Sequence, residues 1–141
     1  MEYPLLEKYL KKVVLSHSTI IQRLDGIVEI HCADDFTYET EHIIENHNVL
    51  REMAGDKKIL ILSFAGHYTM VSSEARMYVA KGTHADFVLA EAFLIYSLAQ
   101  RLYAQFFLKM NRSVPANYFA YKDKELAEKY GDERRTQVVY D

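Results

Sequence analysis

Lys58-Ile59-Leu60-Ile61-Leu62-Ser63-Phe64 is the stretch that decides how this chain folds. Its apolar residues run on without alternation, the pattern of a strand buried on both faces. Ala65-Gly66-His67-Tyr68-Thr69-Met70-Val71 follows as a connection, and Ser72-Ser73-Glu74 reads as a helix start. A serine hydroxyl there accepts from backbone N–H groups that the first turn leaves free, and Glu74 suits the positive end of the helix dipole. Buried strand, loop and helix make one β-α unit. In open α/β sheets the loops at the carboxyl ends of the strands carry the function.

On the N-terminal side, Met1 to Lys12 is an amphipathic lead-in, a short helix or an arm, with Leu5, Leu6, Tyr9 and Leu10 at helical spacing. Val13-Val14 and Thr19-Ile20-Ile21 predict one or two strand segments, and Asp25-Gly26 is the strongest hairpin signal in the chain. Ile27 to Cys32 completes that hairpin. A helix follows over Tyr38 to Ala54, with Thr37 as its cap and Gly55 as its stop.

On the C-terminal side, the helix opened by Ser72-Ser73 runs to about Lys81. A second buried strand over Ala85 to Ala92 centres on Phe87-Val88-Leu89-Ala90, and the longest helix spans Leu94 to Met110. There Ser97, Gln100, Arg101, Gln105 and Lys109 form the polar stripe, opposite Ile95, Leu98, Leu102 and Phe106. Asn117 to Tyr121 is a short strand, Lys124 to Tyr130 a last helix, and the charged tail from Gly131 frays. Strands and helices alternate after the hairpin, which argues parallel pairing with crossover helices. The expectation is a single α/β domain over 1–141 with its core in about 10–130. It has a mixed sheet of about five strands, an antiparallel hairpin and then parallel β-α units, under about four helices.

At 141 residues the chain is long enough to bury a substantial core, and half of it is hydrophobic. A net charge of −3 argues against a general nucleic-acid binder. Cys32 is the single cysteine, so no internal disulfide forms, as suits a reducing compartment. No basic and apolar leader follows Met1, and no apolar run reaches the roughly 20 residues that span a bilayer. The composition therefore predicts a cytoplasmic protein without stable membrane insertion.

Candidate chemistry is sparse. His42 and His47 are five apart on a helix, about 140° around its axis, and His31 and Cys32 point to opposite faces of a strand. No metal and no cofactor are expected. Dinucleotide and phosphate-loop fingerprints, the serine elbow and the zinc-protease helix are all missing from the sequence. That leaves the connection after the buried strand: His67 and Tyr68, with Arg76 one turn into the helix, as contacts for a ligand or a partner.

Three segments carry a family resemblance: Leu24-Asp25-Gly26-Ile27-Val28, Val71-Ser72-Ser73-Glu74-Ala75-Arg76, and Ala104-Gln105-Phe106-Phe107-Leu108-Lys109-Met110-Asn111. With the element order, they resemble the STAS domain, and more closely the stand-alone bacterial STAS-like (SpoIIAA-like) proteins of unassigned function. In the anti-sigma-factor antagonists of that superfamily, a serine at this helix start accepts phosphate and so releases a protein partner. The resemblance makes Ser72 and Ser73 phosphoacceptor or partner-docking candidates. Val71 precedes them where the antagonists have aspartate, and Glu74 would repel a phosphate beside it. Capping alone also explains both serines.

Two functions from different classes follow. The first is a non-enzymatic regulatory module that docks a protein partner through residues 66–76. A homodimer through the hairpin edge or the N-terminus is a further option. The alternative is a small-molecule module, with a lipid, nucleotide or small anion held between the 64–72 loop and the helix near Leu94. The second predicts an enclosed pocket there, partly lined by His67, Tyr68 and Arg76: a flat surface favours the first function and a closed cavity the second. An enzyme would need His67 within reach of a serine hydroxyl.

Overall fold

The computed structural model describes residues 9–81, 86–110 and 114–140, with side chains as far as 134. β1 (Tyr9–Val14), β2 (Ser18–Arg23) and β3 (Val28–Cys32) form an antiparallel meander. The turn from β2 to β3 is the Asp25-Gly26 pair. Gly26 takes a φ of +88°, open to glycine at no cost, and Asp25 Oδ1 accepts from the Ile27 N–H at 3.1 Å. Next come β4 (Thr37–Tyr38), α1 (Thr40–Ala54), β5 (Ile59–Phe64), β6 (Met70–Val71), α2 (Ser73–Ala80), β7 (Val88–Ile95), α3 (Leu98–Met110), β8 (Ala116–Ala120) and α4 (Lys124–Tyr140).

The main sheet has six strands in the order β1-β2-β3-β5-β7-β8, antiparallel up to β3 and parallel from there on. A separate parallel pair joins β4 to β6. The architecture is thus the mixed α/β sheet expected, one strand wider.

β5 lies inside the sheet and alternates between two cores. Ile59 and Ile61 pack with Leu50 and Met53 of α1, whereas Leu60 and Leu62 pack with Ala127 of α4. Burial on both faces is why its sequence shows no alternation. A third cluster joins Phe93 of β7 to Val79 of α2 and to Ala104 and Phe107 of α3. Hence α1, α2 and α3 cover one face and α4 the other.

Several boundaries differ from the sequence reading. Tyr9 to Lys12 belongs to an edge strand, continuous with the expected strand at Val13-Val14, rather than to a helix or arm, and residues 1–8 lie outside the described part. Thr37 does not cap α1. Its strand pairs with Met70, and the cap is Glu39, whose N–H donates to His42 Nδ1 at 2.9 Å. The strand expected to end near Ala92 runs to Ile95, because β8 pairs with it that far. In α3 the buried positions are Gln100, Ala104 and Phe107, while Leu98 and Leu102 are exposed. The helix is rotated so that the Gln100 amide reaches backbone carbonyls beneath it. α4 does not end near Gly131 but continues to Tyr140; Gly131 is buried against Leu60, and Ala127 and Tyr130 pack on the sheet.

Candidate functional site

β6 pairs with β4 instead of joining the main sheet, so the chain entering α2 is held off the sheet. α2 has only eight residues and packs mainly on α1 and α3, like a roof between two walls. Below it, on the helical face of the sheet, lies a pocket of about 140 Å³. That is the size of an engineered apolar cavity that takes one benzene ring.

The floor of the pocket includes Ser63 of β5 and Glu91 and Phe93 of β7. Ser63 Oγ donates to Glu91 Oε2 at 2.8 Å. Ser63 stands opposite Phe93 in the ladder and Glu91 opposite Ile61, so this is a diagonal cross-strand pair. Glu91 is only 8% exposed. A carboxylate that deep needs donors, and Ser63 is one.

The walls are mostly apolar: Ile43 and Leu50 from α1, Val79 from α2, and Ala104 and Phe107 from α3. Arg76 and Tyr103 add polar groups. Burial pushes the Tyr103 phenol up, the nearby Glu91 and, once ionised, Cys32 push it further, and Arg76 pulls it back. Tyr103 therefore stays a neutral donor. Cys32 also lines the pocket, and burial holds its thiol at about 11, neutral near pH 7.

Gln100 fixes the connection from β5 to α2. Its Nε2 donates to the carbonyls of Gly66 at 2.8 Å and Thr69 at 3.1 Å, and its Oε1 accepts from the Tyr96 N–H at 2.8 Å. The same loop crosses close over the end of β3. Thr69 Oγ1 donates to the Ala33 carbonyl at 2.6 Å, and the His67 N–H donates to Asp34 Oδ1 at 2.7 Å. Each of these bonds satisfies a group that the loop would otherwise bury unpaired.

The residues singled out from sequence are not gathered into one place. Arg76 lines the pocket. His67 belongs instead to an open cleft at the carboxyl edge of the sheet, where its ring stacks on Tyr96 at 4.0 Å. The Tyr96 ring stacks in turn on Tyr121 at 4.1 Å, and Phe64 stacks on His31 at 4.4 Å in the same cleft. Tyr68 has a φ of +62° and is 79% exposed, lining neither pocket nor cleft. Ser72 caps α2, its hydroxyl accepting from the Ala75 N–H at 3.1 Å, and Ser73 is exposed. Among the described residues no hydrogen bond joins His67 to a serine. Likewise, no group of three metal-ligating side chains occurs among them.

Ser63, Glu91, Gln100 and Tyr103 escaped the sequence reading. One signal was present: the two most apolar strands are each interrupted by a polar residue, Ser63 and Glu91. Strand pairing then puts both on one face.

The chain is thus a mixed-sheet α/β domain with a recessed pocket under a short roof helix. The family model described as a domain of unknown function, DUF7793, matches residues 20–130, and the chain belongs to that family. Comparison with curated proteins and with solved structures gives no match. No helix among the described residues is long and apolar enough to cross a membrane.

Proposed function

We propose that this DUF7793 protein is a non-enzymatic, STAS-like binding module of the cytoplasm that holds a small, largely apolar molecule beneath α2. The recessed pocket carries this reading. Apolar walls supply affinity through removal of ligand surface from water, and a few convergent polar groups orient the ligand. The pocket also lies toward the carboxyl ends of the parallel strands, where open α/β sheets keep their ligands.

The test is thermal unfolding with benzene and with indole as probes. Both should raise the melting temperature of the wild type, since a ligand held only by the folded state stabilises it. Ala104→Leu fills the space and should abolish that rise. No rise with either probe would sink the reading.

A second reading, docking of a protein partner through residues 66–76, is favoured by one observation. Tyr68 within this stretch and Met77 just after it are both largely exposed, although each is an apolar side chain of the kind enriched at interfaces. Capture experiments with wild type beside the double variant Ser72→Asp/Ser73→Asp test it. A partner lost in the variant supports a switch at the start of α2. An unchanged set of partners leaves the serines as caps.

A further inference from the structure

We infer that the ligand of this pocket is a compact organic anion, a carboxylate on a ring-sized apolar body, received by Arg76. The inference rests on the small-molecule reading above and adds the charge of the ligand to it.

Arg76 sits one turn inside α2, its backbone N–H donating to the Ser72 carbonyl at 2.9 Å. Its side chain lines the pocket, and its charge is felt by the Tyr103 phenol. Among the described residues, no hydrogen bond or ion pair engages the Arg76 guanidinium. The two charged side chains of the pocket therefore differ in state. Glu91 is engaged, accepting from Ser63 on the floor. Arg76 is a half-buried cation with open donors above an apolar space.

A guanidinium offers five N–H donors in a planar fork that matches a carboxylate with two parallel bonds. Lining a mainly apolar pocket partly desolvates it, which strengthens its attraction for an anion. The volume of about 140 Å³ limits the body of the ligand to about one aromatic ring or a short branched chain. Tyr103, a neutral phenol that feels both charges, can donate a further bond to the same head group. An ammonium ligand would meet Arg76 as a like charge and find Glu91 already engaged by Ser63, and a neutral one would leave the Arg76 donors unmet.

Three probes of similar size decide the matter: phenylacetate, phenylacetamide and phenethylamine, titrated into the full chain by calorimetry at pH 7. Phenylacetate should bind at least about tenfold tighter than the amide, and the amine should bind weakest. In Arg76→Gln the preference for the acid should vanish while the amide still binds, and Arg76→Lys should keep part of it. Equal affinities, or a preference for the amine, would overturn the inference. So would failure of all three probes. If benzene and indole still raise the melting temperature, only the charge assignment falls. If they too have no effect, the ligand-binding reading falls with it. A preference retained in Arg76→Gln would place the anion elsewhere and equally overturn the assignment.

Discussion

The Ser63 hydroxyl of β5 donates to the Glu91 carboxylate of β7 at 2.8 Å, diagonally across two adjacent parallel strands on the pocket floor. Both side chains occupy positions where an all-apolar core would carry a branched aliphatic. Ser63→Ala deletes a hydrogen-bond donor to a buried carboxylate. The expected cost is about 1–3 kcal/mol. A urea titration that shows the same midpoint for wild type and variant would contradict this account of the pair.

Gly66 is required by close approach. A Cβ there would lie 2.6 Å from both the Ala33 carbonyl oxygen and Thr69 Oγ1. Backbone must shift to admit it, and the Gly66 carbonyl is itself held by Gln100. Gly66→Ala should therefore destabilise by about 1–3 kcal/mol and move the roof of the pocket. The check is a melting curve together with the affinity for benzene. A native melting temperature with unchanged affinity would show the loop to be slack.

Glu29 predicts a pH dependence. Burial raises its pKa, but the hydrogen bond from His31 and the charges of Lys124, His31 and Arg23 outweigh it, so the carboxyl sits below its ordinary value of 4.5. A depressed carboxylate contributes stability above its unfolded pKa, and that contribution is lost as pH falls through the folded value. The gap in unfolding free energy between wild type and Glu29→Gln should be widest above about pH 5 and should narrow steadily below about pH 4.5. Denaturant titrations from pH 7 to pH 3 measure it. A gap that stays constant to pH 3 would mean that the pairing does not depress the group.

Cys32 should be a poor nucleophile. With its thiol at about 11, alkylation by iodoacetamide should rise with pH only toward that value. Near pH 7 the rate should fall about three-hundredfold, with the thiolate fraction, below that of a free cysteine, whose pKa is about 8.5. A pocket ligand should slow the reaction further, because Cys32 lines the pocket. Rapid labelling near pH 7 would contradict the burial described here.

The α/β class, the order of the elements and the Asp25-Gly26 hairpin were legible in the sequence because each rests on local chemistry. An unbroken apolar run announces two-sided burial. Glycine permits the positive φ of the turn, and Ser72 caps α2 through a bond within its own first turn. Element ends proved less legible. Whether β7 stops at Ala92 or Ile95 depends on β8, a partner far along the chain. The rotation of α3 was hidden for the same reason. Leu98 and Leu102 look like core by composition, yet Gln100 is the buried one, since two carbonyls of the 66–69 loop lie beneath it.

The sequence by itself determined which residues form strands buried on two faces, where the first hairpin turns and that a serine of the Ser72-Ser73 pair caps α2. Hydrophobic periodicity and backbone chemistry act over a few residues, so one chain read in order displays them. Only the tertiary structure decided that Ser63 meets Glu91, that Arg76 lines the pocket while His67 belongs to the aromatic cleft, and that β4 and β6 lift α2 off the sheet. Each of those outcomes depends on register and packing between segments tens of residues apart, and no local pattern encodes that distance.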